Sequence, residues 1–202
     1  LPAVAAFAKA GMFDMALATD LATDAQSALG LTSKDATENL TGLKRVTDVL
    51  VKANTLANAS VEQFSTALTN KAGAAIKAVG KDIEEGVAVL AAFADQGIKG
   101  EYAGTQLAIV MRDLQTASLK NTAAFKANGV AVYDANGDMR NMADIVGELE
   151  KSLAGATDKQ KKMTLASMGF TDKSQGALLA LLGTSDKIRQ YEKDLRSAGG
   201  TT

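Results

Sequence analysis

The chain contains no Cys, no His and no Trp, a single proline, and only three Tyr and six Phe. Without Cys there is no disulfide framework. Without Cys or His there is no Cys/His zinc site and no mechanism built on a thiol nucleophile or an imidazole base. These absences remove most of enzymology. Excess charge is lacking too: 22 basic residues stand against 23 acidic ones, so no strong global field draws the chain onto nucleic acid or an anionic membrane. Charge-free stretches such as Ser174–Ser185 and Gly86–Ala94 fall well short of the roughly 20 apolar residues a spanning helix needs. No secretory signal is visible, Leu1-Pro2 is not a natural start, and Gly199-Gly200-Thr201-Thr202 trails off. The sequence therefore reads as a piece of a longer protein.

What remains is rich in alanine and leucine and poor in runs of β-branched residues, which predicts an overwhelmingly helical chain. Its 202 residues suffice for one sizeable core or two small ones. Pro2 suits the first turn of a short helix ending near Gly11, and a second helix is expected from Asp14 to Ala28, stopped by Gly30. Thr32–Asn39 reads as a loop. From Leu43 the apolar residues Leu43, Val46, Val49, Leu50 and Ala53 recur at helical spacing. Ser60 with Gln63, Asp82 with Glu85, and Thr157 with Gln160 have capping-box spacing and mark three helix starts. The helix opened by Ser60 is expected to break at Gly73. The helix opened by Asp82 has an unusually flat flank at Gly86, Ala88 and Ala92, read as tight internal packing or as an association surface. The leucine cluster Leu178–Leu182 is a second candidate association surface.

Three glycines interrupt this pattern within Gly97–Leu107. Gly97 suits the left-handed position that ends a helix, while Gly104 falls where the next helix is already under way, a place that favours glycine when another backbone passes close. Gly97, Gly100 and Gly104 thus predict a tight helical joint. Further on, Val130–Tyr133 alternates in the β-favouring way and Asp134-Ala135-Asn136-Gly137 is turn chemistry, so a small β-hairpin is expected at Val130–Arg140. The expected architecture is all-α: a compact domain of about eight to ten short amphipathic helices with one small β-hairpin.

No catalytic, cofactor or metal site emerges. Asp134, Asn136 and Asp138 resemble the start of a calcium loop, but Met139 and Ile145 occupy the positions that need Gly and a bidentate Glu. Lys159, Lys161 and Lys162 form a short basic run on a helical face, read as solvated. Glu84 and Glu85 sit in a first helical turn, where the dipole favours negative charge, and adjacent helical residues diverge too far to flank one bond. No glutamate precedes a serine, the pairing typical of lytic transglycosylases, and few aromatics are present to line a sugar groove.

Several stretches, in order, resemble the core domain of phage tail tape measure proteins: Leu43–Asn54, Ser60-Val61-Glu62-Gln63, Gly97–Leu107 with Thr105, then Gly129-Val130 with Val132-Tyr133-Asp134, Gly137, Met139 and Arg140, then Asp144-Ile145 with Glu148-Leu149. One departure is Met168-Gly169-Phe170, where the family usually shows Phe-Gly. The resemblance implies a structural signature at Gly97, Gly100, Gly104, Thr105, Gly129, Tyr133, Asp134 and Gly137. It divides the chain into an N-terminal helical segment at 1–40, the core domain at 41–198 and a disordered tail at 199–202. It implies a non-enzymatic structural virion protein, present in the phage tail and, during assembly, in the host cytoplasm. That protein would form a homo-oligomer within the tail, set tail length and be ejected ahead of DNA. Its implied partners are tail tube, tail tip and tail assembly chaperone proteins, with host-membrane contact at infection by the parent chain. No cofactor and no sequence-specific nucleic acid binding are implied. The reading from another class is a helical protein-binding adaptor or adhesion module.

Overall fold

The computed structural model describes residues 2–200; Leu1, Thr201 and Thr202, the last two belonging to the expected tail, lie outside the described residues. Among the described residues the chain forms twelve α-helices and one π-helical turn. In order they are α1 (Pro2–Gly11), α2 (Met15–Ala28), α3 (Ala36–Leu56), α4 (Val61–Ala67), the π turn (Leu68–Ala72) and α5 (Gly73–Ala78). There follow α6 (Ile83–Asp95), α7 (Gly100–Lys120), α8 (Thr122–Ala127), α9 (Met142–Ser152), α10 (Asp158–Ser167), α11 (Asp172–Leu181) and α12 (Ser185–Arg196). The helices are more numerous than the eight to ten that the periodicity predicts.

Side-chain caps set most of the helix starts. Asp14 accepts the Leu17 N–H, and both Ser60–Gln63 and Thr157–Gln160 close complete capping boxes. Asp35 accepts the Glu38 N–H at 2.9 Å, so α3 begins at Ala36 and the loop expected over Thr32–Asn39 gives way to helix in its second half. The break expected at Gly73 is instead a π turn. The Gly73 N–H reaches back to Leu68 O, five residues earlier, which accommodates one extra residue while α4 and α5 remain a single rod.

α6 is the centre of the molecule. Every residue from Ile83 to Ala94 is buried, enclosed chiefly by α12, α3 and α7. Small residues allow this, and Ile76 of α5 lies over Gly86, in the space a Cβ would take. The flank at Gly86–Ala92 is therefore interior packing, and it is not available as an association surface. Leu178 and Leu181 are buried as well, with Leu179 and Leu182 only partly so. The leucine cluster faces mainly inward.

No strand occurs among the described residues, and the β-hairpin expected at Val130–Arg140 is reduced to one antiparallel bridge between Tyr133 and Met139. The arms are too short for a ladder. The Val130 N–H is taken by Phe125 O at the end of α8, and Asn141 already caps α9 through the Ala143 N–H. Asp134 Oδ1 accepts the N–H groups of Asn136 and Asp138, so the loop closes around its own carboxylate.

Candidate functional site

The first half of the signature lies at the α6–α7 joint. Gly97 has φ +80° and completes a Schellman cap: its N–H donates to Ala94 O at 3.0 Å and the Ile98 N–H to Phe93 O at 2.9 Å. α7 then starts at Gly100 and runs directly over the end of α4 and the π turn. At the crossing, a Cβ on Gly104 would fall inside the van der Waals surface of the Ala67 carbonyl oxygen. Asn70, in the π turn, donates to Glu101 O at 2.8 Å and to Thr105 Oγ1 at 3.1 Å. Gly104 thus permits the approach and Thr105 fixes its register.

The second half, Gly129, Tyr133, Asp134 and Gly137, sits in the loop between α8 and α9. That loop lies near Ser118 and Leu119 at the far end of α7, so about 20 Å of helix separates the two halves at 1.5 Å per residue. They do not converge on one site. Beside the loop is a shallow groove of about 390 Å³ lined by Leu119, Phe125, Val130, Val132 and Tyr133. Arg140 returns from the loop to Glu148 at 2.8 Å and to Ala131 O at 2.9 Å, tying it to α9.

A set of charged contacts around α6 is not legible at the sequence level. Arg45 on α3 meets Glu84 with two parallel bonds, Nε to Oε1 at 2.8 Å and a terminal nitrogen to Oε2 at 2.6 Å. Arg196 at the end of α12 donates to Asp82 at 2.7 Å and to Glu192 at 2.5 Å, and Asn141 donates to Glu192 at 2.8 Å. Glu85 does not close its capping box. Its Oε1 accepts the Met142 N–H at 2.7 Å and lies 3.3 Å from Lys81 Nζ. At the other end of α6, Asp95 accepts from the Tyr191 hydroxyl and the Asn58 N–H and pairs with Lys187. Arg196 meeting Asp82 and Tyr191 meeting Asp95 show that α12 lies antiparallel across α6.

The electrostatics follow. Burial pushes the Asp82 carboxyl up, but Arg196, the Glu85 N–H and Arg45 outweigh it and hold the group below the usual carboxylate range. Asp95 and Asp113 are likewise depressed against the effect of burial, by Tyr191 and Lys187 in one case and Arg112 and Thr171 in the other. At Glu85 burial prevails, and its carboxyl is raised despite the Met142 N–H and Lys81. The raised guanidinium pKa of Arg196 reflects its bond to Asp82, which exceeds the opposing effect of burial. Each buried carboxylate has protein partners: Glu84, Glu85 and Glu192 as above, Asp113 on Arg112 and Thr171, Asp48 on Lys44. This chemistry fastens helices to one another.

Among the described residues no three His, Cys, Asp or Glu side chains gather as a metal site, and no helix is long and apolar enough to cross a membrane. Lys159 and Lys162 are exposed and Lys161 is half-buried. Met168 and Phe170, at the departure from the family pattern, are both buried, Phe170 against Phe125 with ring centroids 5.6 Å apart.

The family model for phage-related minor tail proteins matches residues 1–169. The chain is 28% identical over 168 residues to a tape measure protein of Pneumococcus phage Dp-1, a match covering 83% of this chain and 14% of that protein. The chain thus spans only a small part of that relative's length. No solved structure matches. α11 and α12, the latter carrying Tyr191 and Arg196, lie beyond the residues that the family model matches.

Proposed function

The chain belongs to the phage-related minor tail protein family, and we propose that within a tail it is the folded core segment of a tape measure protein. In this reading it is a structural, non-enzymatic component of the virion, present in several copies. The parent chain sets tail length during assembly in the host cytoplasm and leaves ahead of DNA at infection. Its partners are copies of itself and the tube, tip and chaperone proteins of the tail, and the parent chain meets the host membrane at infection. The observation that supports this best is the likeness to a tape measure protein over most of the chain.

The segment itself is not the ruler. A continuous helix of this length would reach about 300 Å at 1.5 Å per residue, whereas the longest helices here, α3 and α7, have 21 residues each and fold back onto α6. Length control then belongs to sequence outside this segment. In-frame deletion of flanking helical sequence should shorten tails in proportion to the residues removed, measured by electron microscopy. Deletion of this segment should abolish assembly or infection. Shorter but otherwise normal tails after its deletion would overturn the assignment, as would absence of the protein from purified virions by mass spectrometry.

A further inference from the structure

Two helices carry outward faces of opposite charge. α2 has no Lys or Arg, and Leu17, Asp20 and Asp24 follow at helical spacing along one exposed stripe. Leu17 on this stripe is 38% exposed, while Met12 and Met15, 92% and 48% exposed, sit at the turn into α2 and off the stripe. α10 is the counterpart. Lys159, Lys162, Met163 and Ala166 share one exposed face, Met163 is 61% exposed, and Leu165 is the helix's buried residue. Among the described residues none of Asp20, Asp24, Lys159 and Lys162 takes part in an ion pair. The net charge of −1 shows that charge is segregated here and not in excess.

The packing order places these faces far apart. α10 rests on α11, α11 on α7, α7 on α4 and the π turn, and these on α2. Within one copy other helices lie between the two faces, and among the described residues no ion pair joins them.

We propose that copies of this chain associate head to tail, the acidic α2 face of one copy seating on the basic α10 face of the next. The charge layout selects this geometry. A two-fold contact of either face on its own copy would set like charges together, whereas a contact of one face on the other pairs Asp20 and Asp24 with Lys159 and Lys162 and covers Leu17 and Met163 together. Such a contact closes into a ring or continues as a stack. Two short helices bury little area, so the free chain associates weakly and in a salt-sensitive way. Confinement of several copies in one tail supplies the effective concentration that makes the contact persist; this part rests on the tape measure reading.

Sedimentation velocity on the 202-residue chain over a range of concentrations tests it. The mean mass should rise with concentration at low salt and return to monomer at about 1 M salt, where the Debye length is about 3 Å. Asp20→Lys/Asp24→Lys and Lys159→Glu/Lys162→Glu should each weaken association at least about tenfold. An equimolar mixture of the two variants should associate again, because each then complements the other. Circular dichroism checks that both remain helical; where one does not, the neutral Asp20→Asn/Asp24→Asn or Lys159→Gln/Lys162→Gln pair takes its place in the test of weakened association, and the mixture is made only from charge-reversed pairs that fold. A chain that stays monomeric at low salt, association indifferent to both pairs, or a mixture that stays monomeric would each overturn the proposal. Those results leave the tail assignment standing, since virion composition and tail length decide it separately.

Discussion

Glu85, in the first turn of α6, accepts the backbone N–H of Met142 at 2.7 Å across 57 residues of sequence. A side chain placed to cap its own helix thus caps the start of α9 instead. The bond brings the loop that follows α8 onto the central helix and leaves a carboxylate with only 5% of its residue surface exposed.

That burial has a pH signature. Because burial raises the Glu85 carboxyl in the folded chain, its contribution to stability falls as pH rises from the ordinary glutamate value through the raised one. In Glu85→Gln the amide oxygen can still accept the Met142 N–H without a charge. Urea midpoints should therefore show the parental chain losing stability relative to Glu85→Gln across that window as pH increases. A constant difference would mean that the group is solvated.

Asp82, Asp95 and Asp113 act with the opposite sign. Each is depressed in the folded chain, so its stabilisation is present above the unfolded carboxylate value and lost as pH falls through the folded one. Acid unfolding followed by circular dichroism should shift to higher pH in Tyr191→Phe, which removes a donor to Asp95. An unchanged midpoint would show that Lys187 and Asn58 suffice.

Gly97→Ala and Gly104→Ala should both destabilise, for different reasons. At Gly97 no atom lies within 4 Å of an added Cβ, so the effect is the conformational penalty of a positive φ, about 1 kcal/mol. At Gly104 the backbone is helical and Ala has the better propensity by about 1 kcal/mol. Overlap with the Ala67 carbonyl outweighs this and leaves a net loss of about 1–3 kcal/mol. Denaturant titration separates the two; a Gly104→Ala chain as stable as its parent would show that α7 and the end of α4 part without strain.

Arg45→Met leaves Glu84, whose side chain is 8% exposed, without its guanidinium. Removing one partner of a buried pair costs about 3–5 kcal/mol. Arg45 is 43% exposed and its charge is partly screened, so about 1–2 kcal/mol is expected. Arg45→Met/Glu84→Gln should recover part of it. A double variant less stable than the single would show that the two bonds between Arg45 and Glu84 are not what holds α3 to α6.

The features legible in the sequence are those that act over a few residues. Asp14, Ser60 and Thr157 cap helices because an N-cap oxygen needs only the amide three places on. Gly97 and Gly104 declare a joint because their missing side chains have local consequences. What escapes is whatever depends on a distant partner: Arg45 with Glu84, Tyr191 with Asp95, and the withdrawal of Glu85 from its capping box. The turn residues at Asp134–Gly137 read correctly as a turn, but the turn chemistry carries no information on whether the flanking arms are free to pair. The π turn leaves no local signal beyond Gly73, whose role as a breaker is the commoner expectation.

The antiparallel lie of α12 across α6 also decides how the domain yields under load. A pull applied beyond Arg196 would reach the Arg196–Asp82 fastening first and Tyr191–Asp95 only afterwards, so the bonds are tested in turn and not in parallel. The helix peels. In an optical trap, tension drawn from that side should give a low-force rip that strips α12 and bares α6, ahead of the larger rip that unravels the rest. Under such a load the domain would come apart from a defined end.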